Sequence, residues 1–238
     1  PARRSRGSRS VLPPAAWPCY YLDNHDLPRS FTRLGAPGAE ERRARVAAAM
    51  LLTLRGTPII YYGQELGMAR SRVPRQAMDD PVGIKFWPLR VGRDGSRTPM
   101  QWAPGPNAGF TDGTPWLPVD AMSARRNVAT ELAQPGSLLN WYRSLIRLRR
   151  ATPALQTGSY QAIRAMPGGV FAYVREHEDE RAVVLLNFAA RASELELPPD
   201  VWSDRSWTCA LSTHTAEGEI RGPRLKLEPY EALILTSG

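Results

Sequence analysis

The sequence predicts an α/β segment of two βα units followed by an all-β antiparallel domain, and three observations lead there. Two short apolar runs, CYYL at 19–22 and IIYY at 59–62, are separated by an amphipathic helix pattern with no hairpin signal, which implies parallel strands joined by a crossover helix. A second, stronger helical pattern closes that part at 137–150. After Gly158 the texture changes to six short apolar or alternating runs with turn residues between them, the pattern of an antiparallel sandwich or Greek-key barrel.

The first run ends in the polar turn DNHDLPR, where Pro28 prevents the strand from continuing, so His25 and Asp26 fall at the strand's C-terminal end. A helix is predicted over 39–54, with Pro37 and Gly38 before it and Gly56 after it. Val46, Ala49, Met50, Leu52 and Leu54 share its apolar stripe, and the Arg-rich first turns read as a solvated face. The β-branched and aromatic run at 59–62 suits a strand buried on both faces. A long irregular stretch rich in Pro, Gly and Asp fills 68–134, and such a length without periodicity is uncommon in a compact protein unless the loop is functional. Ser137 can cap the helix of 137–150, whose Leu138, Leu139, Tyr142, Leu145, Ile146 and Arg149 follow helical spacing. The β-domain is expected to use strands near 160–165, 170–175, 182–187, 193–197, 207–211 and 233–236.

Composition narrows the function classes. The chain has 238 residues, 42% of them apolar, enough for a packed core and for one or two domains. No stretch approaches the ~20 apolar residues of a membrane span, and two cysteines, Cys19 and Cys209, make no disulfide scaffold, so a reducing, cytoplasmic setting is expected. The net charge of +8 suggests a nucleic-acid partner at first sight. Arg3, Arg4, Arg6 and Arg9 carry half of it, however, in a basic arm at 1–14 that reads as a disordered end without the apolar segment of a secretory signal. All remaining basic residues except Lys85 and Lys226 are Arg, a coding bias, and neither nucleic acid nor membrane is expected as a partner.

A His-Asp pair at the end of one parallel strand, with Glu65 at the end of the next, is where (βα)-barrel enzymes place their active-site groups. Two parallel strands cannot close a barrel or cover their own edges. In isolation, Asp26 would read as a turn cap and His25 as a surface residue. Glu65 reads as a packing or hydrogen-bonding group, and Trp102, Phe110 and Trp116 as loop core rather than sugar platforms. No His/Cys cluster suggests a metal site, and no cofactor is expected.

Three blocks in order, YYLDNHDLPRSFTRLG, LLTLRGTPIIYYGQELGM and GRDGSRTPMQW, make the sequence resemble the α-amylase family of glycoside hydrolases, family 13. The likeness is to its α-glucosidase and oligo-1,6-glucosidase branch and runs from about Ala15 to the C-terminus. It implies a fold of the last two βα units of a (β/α)8 TIM barrel over 15–156, then a β-sandwich domain over 157–238. It also implies roles: Asp26 as the carboxylate that stabilises the transition state, His25 as a ligand of the sugar hydroxyls, and Arg97, with Arg93 as a second candidate, as contacts to the substrate's non-reducing end. Those roles suit a cationic, oxocarbenium-like transition state. The other possibility for Arg97 is a plain ion pair with Asp94 or Asp112.

The resemblance also shows what does not match. A retaining glycosidase needs a nucleophile and an acid/base, both carboxylates, about 5–5.5 Å apart. Nothing here resembles the fourth- and fifth-strand segments that carry them, and a full barrel takes about 250 residues. The expectation is therefore the C-terminal portion of a retaining α-glucosidase acting on α-linked oligosaccharides, inactive alone and in need of a chain supplying the first six barrel strands. The alternatives are a non-catalytic carbohydrate-binding or partner subunit, and a trehalose synthase or sucrose-cleaving relative sharing RTPMQW-like blocks. The exposed edge of the 20–22 strand and the apolar faces of the two helices are expected to lack partners, leaving the β-domain as the most independently stable part.

Overall fold

A computed structural model describes residues 13, 16–35, 37–89, 92–164, 166–202, 205–214 and 218–237. The basic arm expected at 1–14, with its four arginines, lies outside the described residues except for Pro13. The chain begins with β1 (Cys19–Tyr21), α1 (Ser30–Arg33), α2 (Glu40–Thr53) and β2 (Thr57–Ile59). β1 and β2 pair in parallel, Cys19 opposite Thr57 and Tyr21 opposite Ile59, with α2 as the crossover. β1 is one residue shorter than its apolar run, whereas β2 lies N-terminal to the run expected at 59–62 and shares only Ile59 with it; 60–62 leave the pairing before Gly63 turns the chain in the left-handed region at φ 77°. Burial on both faces is not found: β1 and β2 pair only with each other, so Cys19, Tyr20, Tyr21 and Ile59 are exposed.

The described residues among 60–127 are irregular, with isolated 3-10 turns and the short helix α3 (Pro81–Lys85). α4 (Val128–Ala133), α5 (Leu138–Ala151) and α6 (Pro153–Gln156) follow. Ser137 caps α5 as its sequence suggests, its hydroxyl accepting from the Asn140 N–H at 3.1 Å.

The C-terminal part contains β3 (Ser159–Ala162), β4 (Val170–His177), β5 (Glu180–Asn187), β6 (Ser193–Glu196), α7 (Pro199–Trp202), β7 (Trp207–Ser212), β8 (Gly218–Ile220), β9 (Arg224–Leu227) and β10 (Ala232–Ser237). Six strands form an antiparallel sheet in the order β3-β4-β5-β10-β7-β8, and β6 pairs with β9 in a second sheet. Val174, Val183, Leu185, Leu195, Trp207, Leu227 and Leu235 belong to the cluster that joins the two sheets. Residues 182–187 of β5 are buried without interruption because the other face of the large sheet is covered too. There Tyr173, Ala182, Val184, Leu186 and Ile234 share a core with Val46, Ala49 and Leu52 of α2 and Leu138, Trp141 and Leu145 of α5.

This corrects one expectation. The apolar faces of the two long helices do have partners: they pack on the β-sheet. Two arginines reinforce the joint at the C-terminal end of α2, where orphan carbonyls attract cations. Arg149 donates to the carbonyls of Leu52 (2.7 Å), Leu54 (3.2 Å) and Gly56 (2.7 Å). Arg175, fully buried on β4, donates to those of Thr53 (2.6 Å), Leu155 (3.0 Å), Gly158 (3.1 Å) and Ser159 (2.9 Å).

Candidate functional site

The turn after β1 is built by its own short side chains. Asn24 Oδ1 accepts from the N–H groups of Asp26 (2.9 Å) and Leu27 (2.8 Å), an Asx-type turn that leaves the side chains of His25 and Asp26 exposed. Asp23 points the other way: it is buried and accepts from both the N–H and the hydroxyl of Ser30 at the start of α1. Arg29, fully buried, carries its guanidinium 4.7 Å from the ring centres of both Tyr61 and Tyr62 and donates to the Tyr62 carbonyl. The turn is thereby tied to the segment that follows β2. Tyr62 in turn donates its hydroxyl to the Thr98 carbonyl at 2.8 Å, tying that segment to the loop that supplies the arginines.

The long loop brings Arg93 and Arg97 onto this turn from some seventy residues away. Arg93 Nη1 and Arg97 Nη2 each lie 3.1 Å from Asp26 Oδ1, and His25 Nε2 lies 3.5 Å from Oδ2. Arg97 Nε also donates to the His25 carbonyl at 2.9 Å. All four residues singled out in the sequence thus meet at one carboxylate. Arg97 pairs with Asp26 and not with Asp94, whose carboxylate accepts from the N–H groups of Asp79 (2.8 Å) and Asp80 (2.9 Å). Desolvation acts to raise the Asp26 carboxyl, but the Arg93 hydrogen bond, the charges of His25 and Arg93, and the Arg97 hydrogen bond outweigh it and hold it below the usual carboxylate range. An ionised carboxylate with 48% of its side chain exposed, flanked by guanidinium groups, is suited to stabilise positive charge on a neighbouring group and unsuited to donate a proton.

Other sequence readings fare differently. Glu65 is mostly buried, and burial pushes its carboxyl up against the charge of Arg29; its Oε2 has no hydrogen-bond partner among the described residues. It stays beneath the surface, in keeping with a packing role. Trp102, Phe110 and Trp116 are half-exposed rather than loop core, since the loop's apolar cluster is formed by Leu66, Met68 and Met100 instead. Two participants escaped sequence reasoning. Asp80, buried in the loop, takes Arg93 Nη2 at 2.8 Å, and Arg29 anchors the turn. An Asp-Pro pair opening a short helical pattern was the available signal for Asp80; nothing local marks Arg29.

Comparison with known proteins follows from this geometry. Residues 6–158 match the family model described as alpha amylase, catalytic domain, and residues 160–234 match maltogenic amylase, C-terminal domain. A probable alpha-glucosidase of Rhizobium meliloti is 38% identical over 187 residues, 78% of this chain and 34% of that protein. An oligo-1,6-glucosidase of Halalkalibacterium halodurans is 33% identical over 242 residues, 92% of this chain and 42% of its relative. Among solved structures, a trehalose-6-phosphate hydrolase of Bacillus licheniformis superposes with a TM-score of 0.83 at 30% identity, and a trehalulose synthase of Pseudomonas mesoacidophila with 0.79 at 32%. Each alignment covers 93% of this chain and 43% of the solved one. The chain therefore spans less than half the length of the relatives it matches.

Proposed function

The chain belongs to the α-amylase family, and on that premise we propose that it is the C-terminal portion of a retaining α-glucosidase that hydrolyses terminal α-linked glucose from oligosaccharides. In this reading β1 and β2 are the last two strands of a (β/α)8 barrel whose first six come from other polypeptide, and the β-domain begins near residue 157. A single observation carries it: Asp26, at the C-terminal end of a parallel strand, is gripped by Arg93 and Arg97 while His25 stands beside it. Asp26 stabilises the oxocarbenium-like transition state and orients sugar hydroxyls together with His25. Arg97 and Arg93 fix the non-reducing end and keep Asp26 ionised. The nucleophile and the acid/base, which must face each other across the glycosidic bond, come from outside this chain. The sparse cysteine content supports a cytoplasmic setting for this activity.

Co-expression with a polypeptide carrying the first six barrel strands of an α-glucosidase tests the reading. The pair is expected to release p-nitrophenol from an α-glucoside, while the 238-residue chain alone releases none. Turnover by the chain alone, or no turnover by the pair, counts against it. The likeness to a trehalulose synthase supports a second reading, a sucrose-cleaving or isomerising enzyme. Incubating the same pair with sucrose and with isomaltose separates the two.

A further inference from the structure

One buried carboxylate near the site has no part in the reading above. Asp80 is 1% exposed, and its carboxylate faces Arg93 and the start of α3. It accepts from the Val82 N–H (3.3 Å), from the Arg93 N–H (2.7 Å), and from Arg93 Nη2 (2.8 Å) and Nε (3.2 Å), a forked contact of the kind that fixes a guanidinium plane. Asp94 completes the lacing through the N–H groups of Asp79 and Asp80, and Arg70 donates to the Gly92 carbonyl at 2.6 Å. The two strands of this loop touch: a Cβ on Gly83 would stand 2.9 Å from the Gly92 Cα. Arg93 is thus held on one side by a carboxylate that also accepts two backbone N–H groups, while its Nη1 reaches Asp26 on the other. A long, partly exposed side chain without such an anchor would lose its preferred pose to rotamer entropy, and an exposed ion pair would be worth little.

We infer that Asp80 is a positioning residue of this site, acting through Arg93 to keep the Asp26 carboxylate oriented for sugar binding. The inference rests on the reading of Asp26 as a sugar-site carboxylate, and it names a residue that does not itself touch the sugar.

The test titrates the Asp26 carboxyl by carbon-13 NMR in the 238-residue chain. Asp80→Asn removes the charge that holds the guanidinium and keeps an oxygen for one of the two N–H groups, that of Val82 on Oδ1 or that of Arg93 on Oδ2. Its Asp26 midpoint is expected to move upward, toward the ordinary aspartate range, with Asp80→Glu falling between it and the native chain. An unchanged midpoint overturns the inference, and so does a lower one, which would mean that Arg93 released from Asp80 leans harder on Asp26. Should Asp80→Asn not fold, the unsubstituted chain decides: the Arg93 Nε proton is expected to exchange at least about tenfold more slowly than that of Arg224, whose side chain is 85% exposed, and equal exchange overturns the inference. In the complemented enzyme, measured where the variant remains folded, Asp80→Asn is expected to lower kcat by about tenfold or more with KM changed less, and an unchanged kcat overturns the inference. An inactive pair built with the native chain refutes the glucosidase reading and leaves the NMR outcomes to judge Asp80.

Discussion

Glu131 shows at the scale of one side chain how burial converts into a pH response. It is 4% exposed at the end of α4, where its Oε2 accepts from the Leu139 N–H at 3.0 Å. Desolvation pushes its carboxyl up to about 6 from 4.5, against the lowering effects of that hydrogen bond and of Arg126. Between those two values the folded chain binds more protons than the unfolded one, so the group's contribution to stability is whole below 4.5 and lost as the pH rises through 6. Glu131→Gln keeps the acceptor and removes the loss. Relative to the native chain it is expected to gain about 2 kcal/mol between pH 4.5 and 7.5 in urea melts, and a constant difference would contradict this. Arg175 presents the opposite case, a buried cation satisfied only by carbonyls. Arg175→Met removes the donor to five of them and is expected to cost about 3–5 kcal/mol in the same melts, and a loss below about 1 kcal/mol would show that water replaces it. Legibility at this scale follows motifs. His25, Asp26, Arg93 and Arg97 were singled out through the resemblance of the blocks that carry them to a known family, since residue type and spacing alone read as a turn cap and surface groups. Asp80, Arg29 and Arg175 were not, since their roles exist only once distant backbone segments meet.

At the scale of elements, capping and periodicity were readable where the chain is regular. α2 and α5 lie within a residue or two of the stretches their apolar stripes mark, and Ser137 caps α5 because its hydroxyl takes the Asn140 N–H while donating to the Glu131 carbonyl at 2.7 Å. Ser137→Ala removes both bonds and is expected to destabilise by about 1–2 kcal/mol, with the loss of protection concentrated in the first turn of α5 by hydrogen exchange; uniform loss would point to a different cause. β8 and β9 escaped the sequence because GEI and RLKL have no apolar run: β8 is an edge strand, and only Leu227 of β9 is fully buried. The strand expected at 59–62 is instead Thr57–Ile59, since pairing with β1 spans only those three residues and Gly63 then turns the backbone away. The stretch expected to be irregular over 68–134 does contain α3 and α4, and no pattern in it announced that buried aspartates, beside the small apolar cluster of Leu66, Met68 and Met100, help hold it together.

Whole-molecule stability turns on which surfaces share a core. The sequence suggested a boundary near 157 with a self-sufficient β-domain beyond it, because the change from helical to alternating periodicity is sharp. The packing runs across that boundary: one face of the large sheet meets β6 and β9, and the other meets α2, α5 and α6. A sheet of six strands covered on one side only would present Tyr173, Val184, Leu186 and Ile234 to water, an apolar patch of the size that drives association. Residues 157–238 expressed alone are therefore expected to bind a hydrophobic dye and to run as oligomers in sedimentation, whereas 39–238 is expected to melt in one transition with helix and strand signals coincident. The β1–β2 ribbon stands apart from that core, with two paired strands and exposed side chains. Its amides are expected to exchange well before those of β5 and β10, which are paired on both sides and buried on both faces. A monomeric, dye-silent 157–238 would show that the sheet does not need the helices, and would move the cooperative unit to the β-domain alone.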